Sequence, residues 1–207
     1  MKLLSIIPLL LLSFTLIAAG NLNNNNKSDT NEAPTWSIDR AHSAVQFKVR
    51  HFFTPVPGSF DQFEGVIKFD PANLEGSSID VNIAVSSINT NNSDRDEHLR
   101  SDDFFAIERF PEMHFKSSSI RETGENSYVA EGMLTIRDVS REIELPFEFL
   151  GSMEHPMREN TTVAGFKAGY KLMRTDFGVG SGSWAMTAVV GDEIDIEILM
   201  EVLHRPS

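Results

Sequence analysis

Asp94, Asp96 and His98 alternate along one short stretch, and His42, His51 and His114 lie elsewhere in the chain. Clustered carboxylate and imidazole groups are metal-binding material, but this spacing matches no strong zinc or calcium pattern. Serine, histidine and aspartate are all present, yet no Gly-x-Ser-x-Gly elbow occurs. Gly180-Ser181-Gly182-Ser183 reads as a flexible turn, and no pair of carboxylates sits at a convincing interval for glycosidase work. The chain has 0 cysteines. That excludes a disulfide framework, thiolate-bound zinc, an iron–sulfur cluster and a thiol nucleophile. The sequence therefore favours a binding protein over an enzyme, and a metal-dependent enzyme is the weaker alternative.

Composition narrows the binding partner. The 207 residues carry 18 Lys+Arg against 30 Asp+Glu, a formal net charge of -12. Such a balance argues against nucleic acid, which needs a basic face to release counterions. It argues equally against electrostatic docking on anionic lipid. The hydrophobic fraction is 41%, with 15 Phe and 8 Met but only 2 Trp and 2 Tyr. Phe and Met supply large apolar contact with no strongly polar atom to satisfy, and Met adapts to irregular chains.

The chain opens MKLLSIIPLLLLSFTLIAAG. One basic residue, an apolar run and small residues form the pattern of a secretory signal peptide, expected over residues 1–20. The alternative, an uncleaved anchor, needs about 20 unbroken apolar residues, and Pro8 and Ser13 interrupt this run. Leu16 to Gly20 also resembles the front of a bacterial lipoprotein signal. Asn21 stands where the lipid-bearing cysteine would follow, so a soluble exported protein, periplasmic or secreted, is expected. Residues 21–35 are polar and aperiodic and read as a disordered linker. One folded domain is expected over residues 36–204, with no internal repeat.

That domain reads as antiparallel sheet. Val45, Phe47 and Val49 alternate with Gln46, Lys48 and Arg50, the mark of a half-buried strand. Similar runs occupy 60–69, 79–85, 113–120, 128–136, 143–149, 164–172 and 194–198, giving eight strand candidates. Pro146 falls on the polar side of its strand, where an edge or bulge tolerates it. Residues 91–105 do not alternate and predict one or two short helices, capped by Asn92 or Ser93 and by Asp102. Eight such strands form either a sandwich or a closed barrel. About ten residues per strand, tilted about 40°, give a barrel roughly 25 Å tall. The interior of so small a barrel is ordinarily filled by its own side chains.

Five blocks, in order, resemble the YceI-like family. They are Trp36-Ser37-Ile38-Asp39 with His42-Ser43 and Val45 to His51; Asp94 to Leu99 with Asp103-Phe104-Phe105; Phe110 to Phe115; Gly132 to Val139; and Arg174 to Val179. Only the stretch Ser152 to Thr162 departs from the family's usual brevity, and it marks a loop particular to this chain. The resemblance implies an all-β, eight-stranded antiparallel, lipocalin-like barrel. It also implies an exported bacterial protein holding a polyisoprenoid or another long-chain amphiphile, with an isoprenoid quinone among the candidates. No other cofactor is expected.

On that reading Phe47, Val49, Phe105 and Phe115 belong to the apolar wall. The ionisable residues of the matched blocks, Arg50, His51, Arg95, Asp96, His98 and Arg174, stand at the mouth. An arginine grips a phosphate or carbonyl through paired hydrogen bonds. Asp96 and His98 either assist it or form a buried network that pins the short helix to the barrel. The expected partners are an apolar lipid, a transient membrane contact and, as an oligomeric option, a homodimer. The competing reading is a structural or stress-response protein with a filled barrel.

Overall fold

The computed structural model describes residues 32–180 and 182–206. The expected signal peptide and the linker up to residue 31 lie outside them. Eight strands run as an antiparallel meander. Strand β1 comprises Thr35–Ile38 and Ala44–His51, separated by a 3-10 turn at Arg40–His42; β2 comprises Thr54–Phe60 and Phe63–Lys68. Strand β3 comprises Ser78–Ala84 and Ile88–Asn89. The long strands are β4 (Glu112–Gly124), β5 (Ser127–Ile136), β6 (Val139–Glu154), β7 (Thr162–Met173) and β8 (Val190–His204).

Each strand pairs with the next, and β8 returns to β1. Its first half matches Ile196 to Phe47, and its end matches Val202 to Ile38. Closure leaves no end strand, although Thr54–Gly58 has no partner on its β3 side and the β6–β7 ladder is partial. The eight-stranded barrel expected from the alternation is therefore present. The sandwich is not.

Three local expectations need correction. The expected linker over residues 21–35 ends sooner: Ala33 is buried, with its N–H donating to the Gly76 carbonyl at 3.1 Å, and Thr35 pairs with Lys68. A second helix after Asp102 does not form: residues 102–105 are hydrogen-bonded turn, and the one α-helix among the described residues is α1, Ser93–Arg100. Asn92 caps it by accepting from Arg95 N–H at 2.9 Å. The Ser152–Thr162 loop shrinks, because Met153 and Glu154 continue β6 opposite Val163 and Thr162.

Pro146 does behave as a ladder terminator. β6 and β7 pair from Glu154–Thr162 down to Phe147–Ala168, and the ladder ends there. Pro146 has no N–H to extend it. Beyond that point β6 stays paired only with β5.

The two ends of the barrel differ. At the end where β1 begins, Phe69 is almost fully buried and meets Tyr128, Phe147 and Phe166 edge-on at 5.1, 5.6 and 5.2 Å. Such aromatic pairs add about 0.5–1.5 kcal/mol each beyond burial. Trp36 Nε1 donates to the Phe69 carbonyl at 2.9 Å and locks the plug in place. The opposite end carries α1 and the β7–β8 connection.

Candidate binding cavity

Inward-facing residues of all eight strands leave a cavity of about 600 Å³ between the aromatic plug and α1. Ile79, Val81, Leu134, Leu145, Ile196 and Ile198 are among its walls, and Phe69 and Phe166 form its floor. Strand parity puts them there: on β8, Ile194, Ile196 and Ile198 face in while Glu193, Asp195 and Glu197 face out to lysines on β7. Gly58 lies directly opposite Phe47 on β2, and a Cβ there would meet the Phe47 ring at 2.4 Å. The glycine lets that ring lie against the wall.

Polar groups gather at the mouth. His51, Thr90, Asp94, Arg95, His98 and Arg174 line it together with Trp184. Arg95 Nε and Nη2 donate to the Thr90 hydroxyl and carbonyl at 2.7 and 2.6 Å. Among the described residues its Nη1 has no hydrogen-bond partner, which leaves one donor arm at the mouth. His98 Nε2 lies 3.2 Å from Asp103, and its ring meets Phe104 and Trp184 edge-on at 5.1 and 5.0 Å.

Arg174 is 3% exposed. It donates to four backbone carbonyls: Gly191 through Nε at 2.9 Å, Val179 through Nη1 at 2.8 Å, and Trp184 and Val190 through Nη2 at 2.8 and 3.0 Å. Burial lowers its pKa, and nearby Asp192 acts in the opposite direction. It thus shapes the β7–β8 connection as well as touching the cavity.

The wall residues Phe47, Val49, Phe105 and Phe115 all line the cavity, as do His51, Arg95, His98 and Arg174. Two expected site residues do not. Arg50 projects outward, because residue 49 faces in and side chains alternate; it donates to the carbonyls of Phe52 and Thr187. Asp96 is buried beneath α1, where its carboxylate accepts the Thr90 N–H and hydroxyl. Its role is the pinning network. Reasoning from sequence missed Thr90 and Trp184, which lie in connecting segments without periodic pattern, and Tyr170, which parity with Ala168 and Leu172 places inside.

Asp39, His42 and Glu201 form the one group among the described residues whose ligand atoms lie close enough together to hold a metal ion. It sits at the break in β1, not at the mouth. The Asp94, Asp96 and His98 set is not brought together in that way.

The model of the YceI-like domain matches residues 36–202. The chain belongs to the YceI-like family. A UPF0312 protein of Azotobacter vinelandii is 32% identical over 176 residues, spanning 84% of this chain and 88% of its own. One from Vibrio cholerae is 33% identical over 169 residues, spanning 80% and 84%. Among solved structures, the YceI protein of Campylobacter jejuni superposes with a TM-score of 0.68 at 33% identity, over 82% of this chain and 98% of that one. BcnA of Burkholderia cenocepacia gives 0.70 at 27% identity, over 80% and 98%. A polyisoprenoid-binding domain from Saccharophagus degradans shares the fold at 12% identity, with a TM-score of 0.61 over 83% and 98%. These solved structures share the fold described above.

Proposed function

We propose that this chain is an exported carrier that holds a polyisoprenoid or other long-chain amphiphile, an isoprenoid quinone included, inside its barrel. The observation that carries the reading is the cavity of about 600 Å³, apolar along its depth and polar at one end. Ligand sites fall at about 300–1,000 Å³ with few, placed polar groups. The name of the Saccharophagus degradans domain, as polyisoprenoid-binding, supports the same ligand class. Export rests on the sequence of residues 1–20.

Magnitudes say how selection works. Removing a chain from water yields about 0.8 kcal/mol per CH₂, but the chain comes from a membrane that is already apolar. Transfer into the barrel is then close to neutral, so burial sets capacity and the mouth sets identity. The free arm of Arg95 and the ring of His98 are the groups placed to meet a head group. No catalytic role is assigned to them.

Native mass spectrometry of gently purified protein tests this: a co-purified lipid of defined mass is expected. Protein that is always lipid-free, and that takes up no isoprenoid from vesicles, sinks the proposal in favour of a structural barrel. Arg95→Ala and His98→Ala are expected to change which lipid is retained more than how much. Retention of the same lipid in both removes these residues from the head-group site.

A further inference from the structure

The hairpin between β1 and β2 turns on two residues, Phe52 and Phe53, because His51 still pairs with Thr54. Phe52 has φ 52, in the left-handed region. Turns of this size call for Asn, Asp or Gly at such a position. Three of the other left-handed positions carry Asn (Asn91, Asn126 and Asn160), while Ala106 and Arg137 occupy two more, Arg137 in a hairpin turn of the same size. A bulky aromatic residue is strained there. Neither ring is packed in the core, since Phe53 is 96% exposed and Phe52 half exposed.

The tip is fastened in place. Phe52 N–H donates to the Val189 carbonyl at 2.8 Å, and Arg50 bridges the Phe52 and Thr187 carbonyls. This ties the hairpin to the β7–β8 connection, whose Met186 is also exposed. The His51 ring meets Phe52 edge-on at 4.7 Å and itself lines the cavity, so the apolar rim runs into the mouth. In a chain with 30 Asp+Glu, the segments 51–60 and 177–191 contain none. The hairpin tip and the β7–β8 connection thus present apolar groups without negative charge of their own, beside the acidic α1.

We propose that Phe52, Phe53 and Met186 insert into the interfacial layer of a lipid bilayer and seat the cavity mouth on it. Aromatic and Met side chains at that depth bury apolar area without leaving a polar group unpaired. A zwitterionic surface suffices, because the rim lacks the basic cluster that anionic lipid would recruit. The purpose of this docking rests on the lipid-carrier reading; its measurement does not.

Flotation with phosphatidylcholine vesicles is the test. The purified protein is expected to float with the vesicles. F52N/F53G replaces the aromatic at the left-handed position by Asn, which tolerates it, so it is expected to keep the thermal midpoint. Its vesicle-bound fraction should fall about tenfold, as apolar insertion is lost. M153S/M157S, at the opposite end, should bind like the parent. Failure of the parent to float, parent-like binding by F52N/F53G, or an equal loss in M153S/M157S overturns the proposal. The parent's own lipid content separates the two ideas. Flotation that persists in a protein that never retains lipid leaves docking standing and removes the carrier; lipid retention without flotation does the reverse.

Discussion

Thr90 gives both its backbone N–H and its hydroxyl to the carboxylate of Asp96, at 2.9 and 2.5 Å. The same threonine receives Arg95 on its hydroxyl and carbonyl. Two neighbouring residues of α1 thus hold one residue at the end of β3.

Asp96→Ala leaves two buried donors without their acceptor, at about 1–3 kcal/mol for each such unsatisfied group. Urea unfolding should show a loss of about 2–4 kcal/mol, with a smaller loss for Asp96→Asn, which keeps one acceptor oxygen. The mass of any retained lipid should not change. A changed lipid with unchanged stability would return Asp96 to the ligand site.

Arg174→Lys retains the charge but not the planar fork that reaches four carbonyls. The expected cost is about 2–3 kcal/mol, read as a lower unfolding midpoint. Proteolysis should then cut first within residues 178–190, the connection this guanidinium holds. Cleavage elsewhere, with the connection intact, would contradict that assignment.

Gly58→Ala places a methyl group against the Phe47 ring. The ring must swing into the cavity, and overpacking of this kind costs about 1–3 kcal/mol. Stability and lipid capacity should fall together. Lower stability with full capacity would mean that β2 moves outward instead.

Acid should loosen the barrel partly through Asp80. Hydrogen bonds from His114 at 2.7 Å and from Lys116 hold its carboxyl below the usual carboxylate range. A carboxyl depressed in the folded state leaves the unfolded chain binding more protons between the two values, so stability rises with pH across that interval. The contribution is present above roughly pH 4, the unfolded value, and is lost as pH falls through the lower folded value. Asp80 is about two-fifths exposed, so the effect is modest. Denaturation followed from pH 6 downward should give Asp80→Asn a flatter decline than the parent; identical declines would remove Asp80 from the account.

Much of this was legible in residue alternation. The pattern Val45, Phe47, Val49 already places His51 inside and Arg50 outside, and Ala164 to Leu172 extends to Arg174. Arg50 looks like a mouth residue by its charge and its place beside His51, but parity turns it outward. The first half of β2 was illegible for another reason. Thr54-Pro55-Val56-Pro57-Gly58 reads as loop, because Pro and Gly normally end strands. It is a strand because β3 pairs only with Ser59 and Phe60, so the prolines fall where no ladder needs their N–H. The mouth was least legible, since Thr90 and Trp184 are brought there by tertiary packing alone.

The end of the β6–β7 ladder at Pro146 bears on the barrel's motions. Between residues 139–146 and 169–173 the wall is a seam of side-chain packing, crossed by Arg141 reaching the Asp176 carbonyl at 2.9 Å. A cylinder can widen at such a seam without breaking a backbone hydrogen bond. Amides of β7 that face the seam should exchange faster than those paired with β8, and a thick branched chain should slow them. A seam that widened in this way would let one sheet accept ligands of unequal girth.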